Sequence, residues 1–367
     1  MPEPDTVIVA MSGGVDSSVA AALLHQQGYR VIGVTMQIWP RTEAGGNAAP
    51  AGGCCSAQAA QDARAVARRL GVPHHVFNLR EAFEQTVIAD FVSEYARGRT
   101  PNPCIRCNEL VKFGELRRRA SALGAQYVAT GHYARIECDG AGGRFRLRRG
   151  VDPEKDQSYA LYSMTQAQLA GTLMPLGGLT KGEVRELARQ LGLPVAAKAD
   201  SQEICFVTDD DYRRLIAQRQ PQALRPGPIL DREGNVLGQH AGTAGFTIGQ
   251  RRGLGIGGGR RLYVVDIDPE RNALIVGPAE DLLAQGCLVE AVNWVATDAP
   301  QEPLRAEVAL RYRSRPVPAL LEPGQGVVEV AFERPAGAVA PGQAAVFYRG
   351  DEVLGGGTIR GRWAPRG

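Results

Sequence analysis

The sequence predicts a doubly wound α/β domain with a parallel sheet, followed by a small β-rich middle domain and a C-terminal β-barrel. Three observations carry this. Short β-branched runs alternate with helix-like stretches over the first half, the pattern of β-α-β units. Past about residue 210 the pattern changes to short β-type segments separated by Gly- and Pro-containing turns. A length of 367 residues also exceeds one compact domain. The expected boundaries are 1–210, 211–285 and 286–367.

In chain order, "TVIVA" (6–10) and "VIGVTM" (31–36) read as strands, with "SSVAAALLHQQ" between them as a helix stopped by Gly28. A Gly/Ala/Pro-rich loop, "PRTEAGGNAAPAGG", leads to a helix with Ser56 as N-cap and Gly71 and Pro73 as its stop. Strand "HHVFNL", a helix near 81–97, a basic loop, a helix near 109–123 and strand "QYVATG" follow. Ligands of such a sheet sit at the carboxyl ends of its strands, where the three functional loops discussed below are expected. "RQPQALRPGP" reads as a linker, and "TAGFTIG", "RLYVVDID" and "ALIVG" as strands. In "LRAEVALRYRS", Leu304, Ala306, Val308, Leu310 and Tyr312 alternate with Arg305, Glu307, Arg311 and Arg313, a strand with one buried and one basic face.

Hydrophobic residues make up 44% and charged residues 22%, ordinary for a globular protein. No apolar run reaches about eighteen residues and "MPEPDTVIVAMSGG" lacks a secretory start, so a cytoplasmic, membrane-free protein is expected, and with nothing to suggest an obligate interface, a monomer. Seven cysteines in that setting argue for reduced thiols, metal ligands or catalytic sulfur. The net charge of +3 is too small to make the whole chain a nucleic-acid binder. Locally, Arg97, Arg99, Arg106, Lys112, Arg117, Arg118 and Arg119, with "RFRLRRG" at 144–150, make a basic footprint that suits a phosphate backbone or a solvated charged face.

The stretch "MSGGVDSSVAAALL" resembles a phosphate loop opening a helix, yet no lysine follows its glycines. A Walker-type loop needs that lysine for transfer of the γ-phosphoryl group. Here the glycines, three hydroxyls and a helix N-terminus suit a pyrophosphate group instead. The implied chemistry is cleavage between the α- and β-phosphates, which places AMP on a substrate oxygen, with Mg²⁺ bridging phosphate oxygens. The alternative is an ordinary βα turn with a capping serine.

"TPNPCIRCNELVKFG" carries Cys104 and Cys107 in a basic loop before a helix, and no second pair or nearby histidine completes a zinc site. "ADSQEICFV" supplies Cys205. Thiolates near arginines and a helix N-terminus make good nucleophiles or sulfur carriers. Cys138 and Cys287 are read as small core residues, and Cys54 and Cys55 as either packing or sulfur-handling. An adenylated carbonyl oxygen displaced by sulfur gives a thiocarbonyl, which on a basic surface points to thiolation of RNA.

At this point the chain resembles the tRNA-specific 2-thiouridylases over nearly its whole length, through "AMSGGVDSS", "GRTPNPCIRCNELVKFG", "ATGHYARI", "KDQSYALY", "ADSQEICFV", "GFTIGQRRGLGI" and "RYRS". The resemblance implies an adenine nucleotide α-hydrolase-like catalytic domain that uses ATP to adenylate the wobble uridine of tRNA and replaces its oxygen with sulfur. It implies ATP binding by Ala10, Met11, Ser12, Gly13, Gly14, Val15, Asp16 and Ser17, with Met36 and Gly131. It assigns Asn102, Pro103 and Cys104 to the target base, and His132, Lys155, Asp156, Gln157, Arg311, Tyr312 and Gln343 to tRNA. Cys107 matches the catalytic cysteine, and Cys205 the one that carries a persulfide from a sulfur-donor protein, a desulfurase or sulfur relay.

Cys104 stands where the best-known form of the family has aspartate. Two routes follow: a Cys205 persulfide resolved by Cys107 through a transient disulfide, or a [4Fe–4S] cluster on Cys104, Cys107 and Cys205 with one open iron. Competing readings are another ATP-pyrophosphatase that modifies tRNA or forms amides without sulfur, and a non-catalytic ATP- and RNA-binding protein.

Overall fold

Residues 4–39, 57–140, 143–199, 204–207, 211–257, 261–337 and 339–363 are described by a computed structural model. The loop at 40–53, the Ser56 cap, Cys54 and Cys55 lie outside the described residues. The first strands form as the β-branched runs require: β1 (Thr6–Ala10), β2 (Arg30–Gln37) and β3 (His74–Asn78), connected by α1 (Val15–Gln26) and α2 (Ala57–Leu70). Gly28 and Gly71 end these helices at φ +89° and +71°, a left-handed conformation that glycine adopts without a Cβ penalty.

From β3 the chain passes through α3 (Arg80–Phe83), a π-turn over Glu84–Ile88 and α4 (Ala89–Ala96), so the helix expected near 81–97 exists with a π-turn inside it. The next helical run is α5 (Pro103–Arg106), a π-helical stretch over Cys107–Glu115, and α6 (Leu116–Ala122), leading to β4 (Tyr127–Ala129). It begins earlier than expected because Pro103 occupies its first position, where a missing N–H costs nothing and φ is already helical. Cys104 and Cys107 therefore lie on the helix and not in a loop before it. The helix follows α4 rather than a strand, and Cys205 lies on a turn outside the sheet, so only one of the three loops sits at a strand's carboxyl end.

The hairpin β5 (Ala134–Cys138) and β6 (Phe145–Arg149) comes next, then α7 (Gln166–Ala170), β7 (Thr172–Leu173) and α8 (Lys181–Gln190). The sheet order is β3-β2-β1-β4-β7, with every pairing parallel. The chain leaves β1 toward β2 on one side while β4 lies on the other, so the order reverses between β1 and β4, the position at which open α/β sheets of this kind hold their ligands. The core beneath it joins Val7, Val9 and Val19 to Val184 and Ala188 of α8.

By packing, the chain divides into two compact units. The first comprises Met1–Ile88, Cys104–Asp210 and Asp351–Val353; the second comprises Ala89–Pro103, Asp211–Gly350 and Leu354–Gly367. In the second, α9 (Tyr212–Arg219) precedes β8 (Gly227–Leu230), β9 (Val236–His240), β10 (Tyr263–Asp268) and β11 (Ala273–Gly277), a small sheet of order β10-β11-β8-β9. The stretch "TAGFTIG" is not a strand. Gly242, at φ +150°, breaks the extended run, and a 3-10 turn follows over Thr243–Gly245. "RQPQALRPGP" is a linker only in part, because it holds a 3-10 turn at Pro221–Leu224 and enters β8.

The remaining strands are β12 (Ala284–Trp294), β13 (Leu304–Ala309), β14 (Val317–Pro323), β15 (Val327–Ala336), β16 (Ala344–Arg349) and β17 (Glu352–Trp363). Their order, β12-β15-β14-β13-β16-β17, closes through a β12–β17 pairing into a barrel. Closure removes the sheet edges. Cys287 is buried inside it, and burial pushes its thiol up to about 12. Cys138 is exposed at the end of β5, so its reading as a core residue is corrected. The basic-faced strand also ends sooner than expected, at Ala309. Ser314 N–H and Oγ both donate to Arg311 O (3.1 and 2.9 Å), Arg313 takes φ +60°, and Tyr312 is 41% exposed rather than buried.

Ala89–Pro103 packs within the second unit. Phe91, Tyr95 and Tyr212 form an aromatic cluster, with Tyr95 stacked on Tyr212 at 4.5 Å. Arg99 bridges Glu94 and Glu290 at 2.7 and 2.9 Å, and Thr100 N–H donates to Pro341 O at 2.8 Å. The loop that precedes Cys104 is thereby strapped at several points.

Candidate active site

The turn after β1 holds its shape with its own hydroxyls. Ser18 Oγ and Ser17 Oγ donate to Gly14 O at 2.7 and 3.3 Å, and Ser12 N–H donates to Ser17 Oγ at 3.2 Å. Gly13 takes φ +67° directly against α2, where a Cβ would lie 2.3 Å from Ala59 O. The N-cap of α1 is Gly14, with no side-chain hydrogen bond to the first turn. The capping serine of an ordinary βα turn is therefore not what forms, and the first-turn N–H groups of α1 have no side-chain cap.

Around the turn the fold gathers most of the expected nucleotide residues. Met11 N–H donates to Val34 O at 2.8 Å, and the buried Met36 lies at the carboxyl end of the adjacent β2. Gly131 follows β4 and packs on the start of α1, where a Cβ would come within 2.7 Å of Asp16 C and Ser17 N. Asp16 accepts from Tyr133 Oη at 2.8 Å and from Lys181 Nζ at 2.7 and 2.9 Å. Lys198 Nζ donates to Gly13 O at 3.0 Å and to Asp62 at 2.7 Å. Two lysines thus reach a loop whose own sequence has none.

Beneath the loop, Thr35 Oγ1 donates to Met11 O at 2.9 Å and accepts from His74 Nε2–H at 2.9 Å. Nδ1 is then the unprotonated nitrogen, and it is buried without a partner. Burial, aided by the charge of Arg64, brings the ring down to about 4.

Cys104 is exposed and Cys107 buried, three positions apart at the start of their helix. The neighbouring Asn108 donates to Ala160 O at 2.9 Å and accepts from Lys112 Nζ at 2.9 Å, and Lys112 Nζ lies 3.5 Å from His132 Nε2. Thr130 Oγ1 meets His132 Nδ1 at 2.7 Å. Burial first, and the Lys112 charge second, hold His132 well below its ordinary value. Cys205 is half-buried on a turn closed by Val207 N–H donating to Ile204 O (3.0 Å) and anchored by Phe206 against Phe83 at 5.6 Å. Among the described residues no three His, Cys, Asp or Glu side chains group so as to hold a metal. Cys104, Cys107 and Cys205 are all described, and no such group includes them.

Of the expected tRNA positions in this unit, Asp156 accepts from Gly150 and Ser158 N–H at 3.0 Å each, and Gln157 Oε1 accepts from Tyr133 N–H at 3.0 Å. They shape the "ATGHYA" loop, with Lys155 on the same turn, its N–H donating to Asp152 O at 3.1 Å. In the second unit Arg311 and Tyr312 are exposed on the turn after β13, whereas Gln343 donates to Thr100 O at 2.8 Å and helps strap the loop carrying Asn102 and Pro103.

The basic footprint is mostly spent on the protein itself. Arg118 and Arg119 clamp Glu115, and the Arg118 contact first, with Arg119, holds that carboxyl at about 2. Arg135 and Arg148 converge on Asp351, and Arg146 binds Asp139 and Glu352. A single-sequence count of arginines could not see their partners. Missed altogether were Asn108, Tyr133, Lys181 and Lys198, while Lys112 was read only as part of the basic footprint and not as a partner of Asn108 and His132. For Lys181 a partial signal exists, because "TKGE" marks a capping box and hence a helix start, but not where that start points.

The histidines predict a pH response. His74, His132 and His240 are all lowered, chiefly by burial, from an ordinary 6.5. Each is neutral in the fold while the unfolded chain takes up protons, so the stability it contributes is full above about pH 6.5 and lost as pH falls toward the folded value. The melting temperature should drop between about pH 6.5 and 4.5, above the window in which Glu115 titrates. The drop should be shallower in His74→Gln, and an unchanged slope would remove His74 from the account.

Three family models cover the chain: a tRNA methyl transferase HUP domain over residues 5–209, a tRNA methyl transferase PRC-barrel domain over 213–278, and an aminomethyltransferase β-barrel domain over 284–359. Among curated proteins, one from Heliobacterium modesticaldum is 55% identical over 97% of this chain and 92% of its own length. One from Pelotomaculum thermopropionicum is 54% identical over 97% and 98%, and one from Geobacter metallireducens 53% over 96% of each. All three are named tRNA-specific 2-thiouridylase MnmA. With the parallel sheet, the glycine turn after β1 and the cysteine helix in place, identity of this extent shows that the chain belongs to the tRNA-specific 2-thiouridylase family.

Proposed function

We propose that the protein makes 2-thiouridine at the wobble position of tRNA, in three domains that follow the boundaries 1–210, 211–285 and 286–367. The observation that carries the reading is the match along nearly the whole chain to proteins of that name, and the turn after β1 supports it chemically. ATP binds with its pyrophosphate on the residues Met11 to Ser17 and its adenine toward Met36. Asp16 is the carboxylate of the turn that would hold a Mg²⁺ brought in with ATP, and such an ion would neutralise charge on the phosphates. Uridine O2 attacks the α-phosphorus, the bond to the bridging oxygen breaks with its electron pair leaving on pyrophosphate, and the N3 proton passes to water.

Sulfur transfer follows the persulfide route. A donor protein loads Cys205, the Cys205 persulfide attacks C2, and AMP departs. The Cys107 thiolate then attacks Cys205 Sγ, a Cys107–Cys205 disulfide forms, and 2-thiouridine leaves and takes a proton at N3. A thiol reductant restores both cysteines. Asn102, Pro103 and Cys104 face the target base, while His132, Lys155, Asp156, Gln157, Arg311, Tyr312 and Gln343 serve tRNA directly or by shaping the loops that touch it. No described helix is long and apolar enough to cross a membrane, and we place the enzyme in the cytoplasm as a monomer.

The test is nucleoside analysis of tRNA incubated with the protein, ATP and a persulfide donor. 2-Thiouridine should appear only with ATP, with AMP and pyrophosphate in equal amounts. A methylated uridine, an amidated product, or binding without turnover would each overturn the reading. Iron and acid-labile sulfide measured on protein purified without oxygen separate the sulfur routes. Iron-free protein that thiolates supports the persulfide, while about four irons per chain, lost in Cys104→Ala, would replace it with the cluster.

A further inference from the structure

The turn after β1, proposed above to hold the pyrophosphate, has no lysine in its own sequence, yet Lys181, 165 residues beyond Asp16, brings an ammonium to it. Its Nζ sits 2.7 and 2.9 Å from the two Asp16 oxygens and its side chain is only 12% exposed. Lys181 is the first residue of α8, after a capping box between Thr180 and Glu183, and its own N–H donates to Asp152 at 2.9 Å. Val184 and Ala188 bury α8 in the same core as Val15 and Val19 of α1. The approach of the ammonium to the first turn of α1 is therefore set by two packed helices and not by a mobile surface chain.

The other lysine has a different task. Lys198 Nζ binds the carbonyl of Gly13 and the carboxylate of Asp62, so it clamps the backbone of the turn from the side of α2. Lys181 binds a side chain of the first helical turn, beside the N-terminus that carries no capping group. An ammonium so little exposed requires an anion beside it, and a pyrophosphate offers more charge and more acceptor oxygens than one carboxylate.

We propose that Lys181 contacts the pyrophosphate moiety of ATP and balances the charge that arrives on it when the α–β bond breaks, its pairing with Asp16 being the resting state. This rests on the adenylation reading above and adds a residue to it. In the step, uridine O2 bonds to the α-phosphorus, the bridging oxygen leaves with the bonding pair, and Lys181 keeps its proton throughout as a positive partner.

The experiment is calorimetric titration of pyrophosphate, and separately of AMP, into the full chain carrying Lys181→Met or Lys181→Arg. Lys181→Met should weaken pyrophosphate binding by about tenfold or more while AMP binding stays at the wild-type level, and Lys181→Arg should recover most of the loss. Unchanged pyrophosphate affinity in Lys181→Met overturns the proposal. Parallel loss of both ligands also overturns it, because Lys181 would then only be holding the turn through Asp16. Neither titration contains RNA or a sulfur donor, so a wild-type protein that fails to make 2-thiouridine would count against the proposed function and leave this result legible.

Discussion

Protein carrying Cys107→Ser is expected to release pyrophosphate from ATP in the presence of tRNA and to yield no 2-thiouridine, a loss of at least about 10³-fold. Adenylation uses the turn after β1, which the substitution does not touch, so the first half of the reaction continues. The second half stops after AMP leaves, with the tRNA joined to Cys205 through a disulfide. Without added reductant, the condition under which the loss of 2-thiouridine is read, this adduct should accumulate and migrate as a covalent protein–tRNA species; an added thiol attacks Cys205 Sγ in place of Cys107 and releases 2-thiouridine from it. Cys205→Ser should abolish thiolation equally but form no adduct, because the persulfide never forms. Affinity for tRNA should be nearly unchanged in both, since phosphate contacts supply most of it. Full thiolation by either variant would falsify the assignment of that cysteine.

Gly13→Ala should remove ATP-dependent pyrophosphate release and lower the melting temperature. The residue sits at φ +67°, where a Cβ costs about 1–2 kcal/mol, and that Cβ would meet the Ala59 carbonyl oxygen at 2.3 Å. Either the turn or the first turn of α2 must move, and a drop of roughly 5 °C or more is expected. Gly14→Ala is the control. Gly14 has φ −98°, and its added Cβ meets only Ser12 Oγ, at 3.6 Å, so its melting temperature should stay near wild type. Equal melting temperatures for the two variants would mean that the left-handed turn is not what holds the site.

The parts of the site legible beforehand were those written in short stretches. "TVIVA" and "VIGVTM" became β1 and β2 because β-branched runs bounded by glycine suit a buried parallel sheet. The turn after β1 was readable because glycine at a left-handed position and a following helix leave a local trace. The cysteine helix was read to start six residues too late, near 109, since "TPNP" looks like a loop while Pro103 in fact starts the helix. The strand through Tyr312 was overextended, because alternation continues in "RYRS" past the point where Ser314 closes a turn.

By itself the sequence determined the order of local patterns along the chain: a glycine-rich turn opening a helix, a cysteine pair, a third cysteine, then β-rich domains, each a pattern within a dozen or so neighbouring residues. Only the tertiary structure decided which charges meet. It placed Lys181 and Lys198 on a turn 165 and 185 residues away, spent Arg118, Arg146 and Arg148 on carboxylates, and gave Gln343 to the backbone of Thr100. The reason is physical. Backbone conformation answers to adjacent side chains, whereas an ion pair or a buried hydrogen bond depends on distances between segments that only packing sets, and it falls away within a few ångströms.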